Sequence, residues 1–537
     1  LQGFLQTATA PIQANTPQQG RYRITVDTTN ASFRIEALPT ITAARLVGTW
    51  NAQSNQQIAL ALDAQTGLFQ ADISLKAGNA TFSLELQQQG AWRRHSLTHT
   101  PYNAFPQGGT LEENSSPSLS LIPQDDTYRF SVDLKDLRFT LHYTPDDPTL
   151  RYQALLQDLS TLTDPAQKNA RILPFFRRLT ALRQIPIVKG RDVIFLLWWS
   201  MQAPAFVAGT FNQWQAGQHT LQRVAGTDFY HLKITMTQDA QYAYKFVDSS
   251  ATPQWITDPV NRRFEYGPFG SNSLFNTDAT TDTSTLEQHD EFSATKLQNK
   301  RKLIVYLPPN YRSAKTRYPV LYMHDGQNLF DDQAIWGGWG VKNWADQMIK
   351  AGQLKPFIVV GVENTIGRMD EYTHTTDKIS GTSAGGKAND YADFLLKDIK
   401  PYIDGLYRTQ PDHRHTAVMG SSLGGLISLW LGVHYPRTFF RIGALSSTFG
   451  WGKIGANNPT LGEIFQTKSF QNLVVYIDSG SPQDNYQVTL QMRDTMRQLG
   501  YLDDLNLLHY VEPNAIHNEK AWRDRLHRPL SFLLSWP

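Results

Sequence analysis

The chain has 537 residues, a formal net charge of +2 and 18% charged residues, so it has room for three or four domains and no charge-driven preference for nucleic acid or an acidic surface. It holds no cysteine, which excludes disulfides, thiolate metal sites and a cysteine nucleophile, and no apolar run reaches the roughly 20 residues of a membrane helix. Thirteen tryptophans and 22 tyrosines suit β-rich modules and sugar-facing surfaces as well as core filling.

Residues 1–20 are rich in Gln, Thr, Ala and Pro and are expected to form a mobile tail. The numbering opens at Leu1, and together with the missing cysteines this gives the expectation of a bacterial periplasmic or secreted protein whose export signal has been removed. Tyr22–Asp27 and Ser32–Glu36 alternate apolar and polar residues as a β-hairpin does, and Tyr128–Asp133 with Arg138–His142 repeats the pattern. A second repeat has a longer spacing. Leu46-Val-Gly-Thr-Trp-Asn51 returns as Val207-Ala-Gly-Thr-Phe-Asn212, and Leu68–Leu75 returns as Phe229–Met236. The extra length falls at about 145–185, where Tyr152, Leu155, Leu156 and Leu159, then Ile172, Phe175, Phe176 and Leu179, have helical spacing.

This duplication predicts two tandem immunoglobulin-like β-sandwich modules, 21–126 and 127–276, the second with the helical insertion. Trp198 and Trp199, adjacent in one strand, point to opposite faces, so at least one belongs to the core. Residues 277–296 are polar and acidic and read as a linker. From 297 to 537 the pattern changes to short apolar strands, Lys302–Leu307, Val320–Met323, Phe357–Val362, Ala417–Met419, Ile442–Leu445 and Leu473–Ile477, separated mostly by helical stretches. That alternation predicts an α/β domain with a mostly parallel sheet covered on both faces.

Within it, Gly420-Ser-Ser-Leu-Gly-Gly425 lies between a strand and a helix start. A Gly-x-Ser-x-Gly turn in that setting is the nucleophile elbow of α/β-hydrolases, which makes Ser422 the candidate nucleophile. A serine needs a base and the base an orienting acid. His517 follows the strand Leu507–Val511 and precedes a helix, where such a base belongs; His509 lies inside the strand and His527 in the last helix. The acid belongs on the loop after Leu473–Ile477, where Asp484 is preferred to Asp478 because the carboxylate must return toward the histidine. The order Ser, Asp, His is that of α/β-hydrolases. Two backbone N–H groups must face the developing oxyanion. Leu423 follows the nucleophile, and Gln327 follows Gly326 in His324-Asp-Gly-Gln-Asn-Leu-Phe330. His324 and Asp325 read mainly as strand-end caps.

Phe206–Trp214, Tyr242–Val247 and Trp255–Pro259 together resemble the early-set, glycogen-binding type of immunoglobulin-like module. The resemblance implies either α-glucan contact by Trp214 and Trp255 or packing beside an active site. The His324–Phe330 run, Arg368-Met-Asp-Glu-Tyr372, Gly420–Gly425 and His517-Asn-Glu519 with Trp522 and Arg525 are similar to the putative esterase family, over about 297–537. That family includes esterase D, feruloyl and acetyl-xylan esterases and enterochelin esterases.

The resemblance implies a serine carboxylic ester hydrolase without cofactor or metal, with esters of oligo- or polysaccharides as the leading substrate class. Siderophore trilactones are one alternative, and a glycan-binding protein with a vestigial hydrolase domain is another. Arg368, Glu371 and Tyr372 match a loop motif beside the family's active site and either bind substrate or brace the loop. Trp451 either lines the leaving-group pocket or packs.

Overall fold

The structure, a computed structural model, describes the strands between residues 2 and 143 and then residues 147–537 apart from 202–203, 278–282, 295, 469–471 and 536–537. The chain divides into two units, 1–144 and 145–537. The expected tail 1–20 lies outside the described residues except for the strand Gln2–Phe4.

In the first unit both repeated hairpins form, Tyr22–Asp27 against Ser32–Ala37 and Asp126–Asp133 against Arg138–Tyr143. The second hairpin pairs with Phe69–Leu75 on one side and Gln107–Glu113 on the other. The unit boundary therefore falls after 144, not at the expected 126/127. Nine strands between 41 and 143 form one antiparallel sheet, and eight of them close into a ring. Closure comes from the long strand Gly78–Gln88. Along one edge it pairs first with Ser118–Ile122 and then with Ala91–Ser96, while its other edge holds Ile41–Thr49. The two facing sheets expected for 21–126 are not what these pairings form.

The second unit begins with two helices, Pro148–Thr161 and Pro165–Ala181. Each starts at an Asp-Pro pair: Asp147 and Asp164 accept from the backbone N–H two residues on, and proline fills the first helical position, where its missing N–H costs nothing. Their apolar faces cover the strand Asp192–Trp198 from outside, at Ile194, Leu196 and Phe229 of its sheet. The other face of that sheet packs Val193, Phe195, Leu197 and Tyr230 against Val207, Tyr244, Phe246 and Phe275 of a second sheet. This is a sandwich with a helical coat. Trp198 joins the core under the helices and Trp199 is exposed.

The α/β sheet that follows consists of β1 (Thr285–Ala294), β2 (Asn299–Leu307), β3 (Val320–His324), β4 (Ile358–Val362), β5 (Thr416–Ser421), β6 (Arg441–Leu445), β7 (Val474–Ser481) and β8 (Leu507–Pro513). Its order is β1-β2-β4-β3-β5-β6-β7-β8, with β1, β2 and β4 joined antiparallel and all later pairings parallel. β3, β4 and β6 are buried throughout, as strands covered on both faces must be. The expected linker 277–296 is corrected: most of it is β1, which also pairs with Arg263–Phe264 of the second sandwich sheet. Sandwich and α/β domain thus share one sheet of 13 strands. Chain ends of β3 to β8 carry the loops of the candidate site, as they do in open α/β sheets.

Candidate active site

Ser422 stands between β5 and the helix Leu423–His434 with φ 57° and ψ −122°. Positive φ is costly for a non-glycine residue and is held here by its surroundings. A Cβ at Gly420 would sit 2.7 Å from the Gly424 carbonyl carbon, and one at Gly425 would collide with Ser447. The turn can therefore close only with glycine at both places. Ser422 donates its N–H to the Leu445 carbonyl (2.9 Å) and its hydroxyl lies 3.3 Å from that of Thr448. The side chain is half-buried at the C-terminal end of the sheet.

The loops after β7 and β8 bring Asp484 and His517 together: Nδ1 of His517 lies 2.6 Å from Oδ1 of Asp484. The imidazole is 38% exposed and the carboxylate fully buried. Burial works to raise the Asp484 carboxyl, but hydrogen bonds from His517, Ser446 Oγ (2.5 Å) and Gly480 N–H (2.7 Å) outweigh it and hold the group below the usual carboxylate range. Asp484 thus stays an anion beside the imidazole, which favours the tautomer with its hydrogen on Nδ1. The Trp522 ring stands edge-on to His517, 5.1 Å between centroids.

Asp478 does something else. It ends no loop; it lies buried within β7 and pairs with Arg525 at 2.9 and 3.1 Å. Burial raises its carboxyl, against the pull of Arg525. Arg525 also donates to Ser446 Oγ (2.7 Å), as does Trp522 Nε1 (2.9 Å). Ser446 is thereby fixed with its own hydroxyl hydrogen on Asp484. This support was missed as such by sequence reasoning. Its signals were Ser446-Ser-Thr448 directly after β6 and the Trp522/Arg525 pair, three apart and hence on one helix face.

Gln327 lies in a tight turn after β3, Gly326–Asn328. A Cβ at Gly326 would meet backbone atoms of Gly361 and Glu363 at 2.8 Å, so the turn lies flat on β4. Among the described residues neither the Gln327 nor the Leu423 N–H donates to a backbone carbonyl. The turn is braced from below. Arg368 grips both oxygens of Asp325 (2.7 and 2.8 Å), and Asn364 donates to Asp325 (2.6 Å) while its N–H reaches the Gln327 side-chain oxygen (3.1 Å). Burial pushes the Asp325 carboxyl up, and Arg368 with Asn364 brings it below its ordinary value.

The residues entertained as substrate contacts resolve toward bracing. Arg368 spends its guanidinium on Asp325 and lies over the Tyr372 ring. Glu371 is buried against Arg301 (2.9 Å), Tyr372 is fully buried, and Trp451 is buried with Nε1 on the Thr375 carbonyl (2.7 Å). Of the two roles expected for these residues, contact or brace, the contacts of buried Glu371, Tyr372 and Trp451 are those of a brace, while Arg368 pairs with Asp325 and keeps part of its side chain exposed. His324, expected as a cap, is buried with Nδ1 on the Tyr391 hydroxyl (2.9 Å), and burial drives it down to about 3, so it is neutral. Among the described residues no cluster of His, Asp and Glu is placed to hold a metal ion.

In the sandwich module Trp214 is half-buried and Trp255 exposed, their rings 6.4 Å apart.

Residues 294–533 match the family described as Putative esterase, and residues 183–260 match carbohydrate-binding module 48, the isoamylase N-terminal domain. An uncharacterized Bacillus subtilis protein, YbbA, is 24% identical over 243 residues, 43% of this chain and 92% of that protein. An endo-1,4-beta-xylanase/feruloyl esterase of Xylanibacter ruminicola is 30% identical over 154 residues, 26% of this chain and 19% of that enzyme. Among solved structures, the enterobactin esterase of Shigella flexneri aligns over 64% of this chain and 93% of its own, at 16% identity and a TM-score of 0.38. The match of residues 294–533 to Putative esterase, behind a segment that matches carbohydrate-binding module 48, supports a carboxylic ester hydrolase.

Proposed function

We propose that the chain is a serine esterase in which Ser422, His517 and Asp484 act as a catalytic triad on acyl or aromatic esters of oligo- or polysaccharides. The observation that carries this reading is the 2.6 Å contact of His517 with a buried, ionised Asp484, at the same end of the sheet as the strained Ser422 turn. His517 Nε2 takes the proton of Ser422 Oγ as that oxygen attacks the ester carbonyl, and Asp484 stabilises the imidazolium that forms. The N–H groups of Leu423 and Gln327 receive the oxyanion. His517 then protonates the departing alcohol, and water releases the acid from the acyl-serine by the same route.

The carbohydrate part rests on the family-48 module, with Trp214 and Trp255 as its sugar platform, and on the feruloyl esterase among the relatives. A periplasmic or extracellular location accords with such polymers. The trilactone alternative loses its main motive, since Arg368 is already spent on Asp325. A vestigial, glycan-binding role would leave the strain at Ser422 without use.

The test is hydrolysis of p-nitrophenyl acetate and butyrate, methyl ferulate, acetylated xylo- and gluco-oligosaccharides and a catecholate trilactone, by wild type and Ser422→Ala in parallel. Turnover of the saccharide or ferulate esters, lost in the variant, is expected. Preference for the trilactone would replace the carbohydrate reading. Turnover that survives Ser422→Ala would sink the triad.

A further inference from the structure

Away from Ser422 along the sheet, where the helical segment, the sandwich and β1–β2 meet, the second unit forms an open cavity of about 490 Å³. Among the described residues four arginines line it, Arg183, Arg262, Arg263 and Arg312, against one carboxylate, Glu287. That carboxylate is already engaged. Its Oε2 accepts from Arg183 Nη1 (2.9 Å) and from the Tyr407 hydroxyl (2.7 Å). Arg263 gives Nη2 to Asn276 (2.7 Å). Arg183 is held by Glu287 and by the Tyr407 ring beneath it, 4.8 Å away. Yet among the described residues Nη2 of Arg183 and Nη1 of Arg262 are both buried and find no hydrogen-bond partner.

Buried N–H groups of a cation without an acceptor are costly. The positive field is felt nearby: His289 is pushed well below its ordinary range by burial and then by Arg262 and Arg183. What would satisfy such a cavity is an oxyanion, which matches the planar donor fork of arginine. The volume lies within the range of small-molecule pockets. The wall is shared, with Ile185–Val188 and Phe275 on the sandwich side and Leu307 and Tyr311 on the hydrolase side.

We propose that this cavity binds a compact oxyanion, a carboxylate or phosphoryl group on a molecule of about monosaccharide size, and that the ligand bridges sandwich and hydrolase. Arg262 is its principal contact and Arg183 the second. The site is independent of the serine chemistry and stands or falls apart from it.

The experiment is calorimetric titration of the full chain with sodium phosphate, sodium glucuronate and glucose, at ionic strength matched with sodium chloride. Saturable binding of at least one anion in the millimolar range or tighter is expected, with none for glucose, and the anion that binds identifies the group. Arg262→Gln is expected to weaken it about tenfold, one charge-assisted hydrogen bond's worth, while ester turnover is unchanged. No saturable heat from either anion at about 20 mM overturns the proposal, and so does equal binding of glucose or an unchanged affinity in a folded Arg262→Gln protein. Should that variant not fold, the wild-type titration alone decides.

Discussion

Behind His517, Asp484 keeps one oxygen on the imidazole and the other on Ser446, with Arg525 and Asp478 packed alongside; behind the Gln327 turn, Asp325 gives both oxygens to Arg368. Both supports join an arginine to a buried aspartate, but the arginine is placed differently. Arg525 pairs closely with Asp478 and reaches Asp484 only at 3.5 Å, so the anion facing the histidine is not neutralised by a full ion pair. Arg368 neutralises Asp325 outright. The difference follows from the chemistry proposed for each side. A histidine that gains and loses a proton needs an anion still able to respond to it, whereas N–H donors for an oxyanion need a scaffold whose charge stays fixed.

Substitutions can break that comparison. Ser422→Ala removes the bond-forming atom and is expected to lower kcat by about 10⁶. Asp484→Asn should lower kcat by about 10⁴ with KM little changed, because the amide favours the wrong imidazole tautomer; a loss under tenfold would mean that His517 is oriented by something else. Asp478→Asn leaves Arg525 buried with its main partner gone, and is expected to cost about 3–5 kcal/mol in urea unfolding. Its kcat should fall far less than that of Asp484→Asn. Equal losses in kcat would make the pair a single unit.

Arg368→Gln loosens the turn beneath Gln327 without touching the serine. A deleted oxyanion donor costs about 10²–10³ in kcat, so a displaced one should cost about 10–10². The smallest effect is in acid. The Asp325 carboxyl lies below its ordinary value in the folded chain, so its contribution is complete above the unfolded value, about pH 4, and fades as pH falls through the lower folded one. Arg368→Gln should flatten the fall of stability below about pH 4, read by urea midpoints at several pH values. Asp478, raised by burial, contributes no slope of that sign.

How much of this was legible in the sequence depended on whether the partners were local. The Ser422 turn is written in six consecutive residues, and the loop positions of Asp484 and His517 follow from the strands before them. Six apolar strands announced the hydrolase sheet. β1 did not, because its buried Glu287 and His289 look like solvated linker residues until their distant partners are known: Arg183 for one, Tyr402 and Tyr407 for the other. The boundary after 144 was missed for the same reason. The hairpin Asp126–Tyr143 looks like its twin at 22–37, and only its pairing with Phe69–Leu75 assigns it to the first unit. Arg368, Glu371, Tyr372 and Trp451 could not be sorted into contact or brace from type alone, since an arginine motif reads the same whether its carboxylate belongs to a ligand or to the protein.

The two rungs joining Arg263–Phe264 to β1 have a bearing on solubility. A β-strand with unpaired N–H and C=O groups is a template for a second chain, and β1 would be such a strand if the sandwich were cut away. The module in front therefore guards the rim of the hydrolase sheet, whatever sugars it meets. A chain shortened to begin at residue 283 should keep every residue of the serine machinery and still self-associate, edge to edge, as its concentration rises.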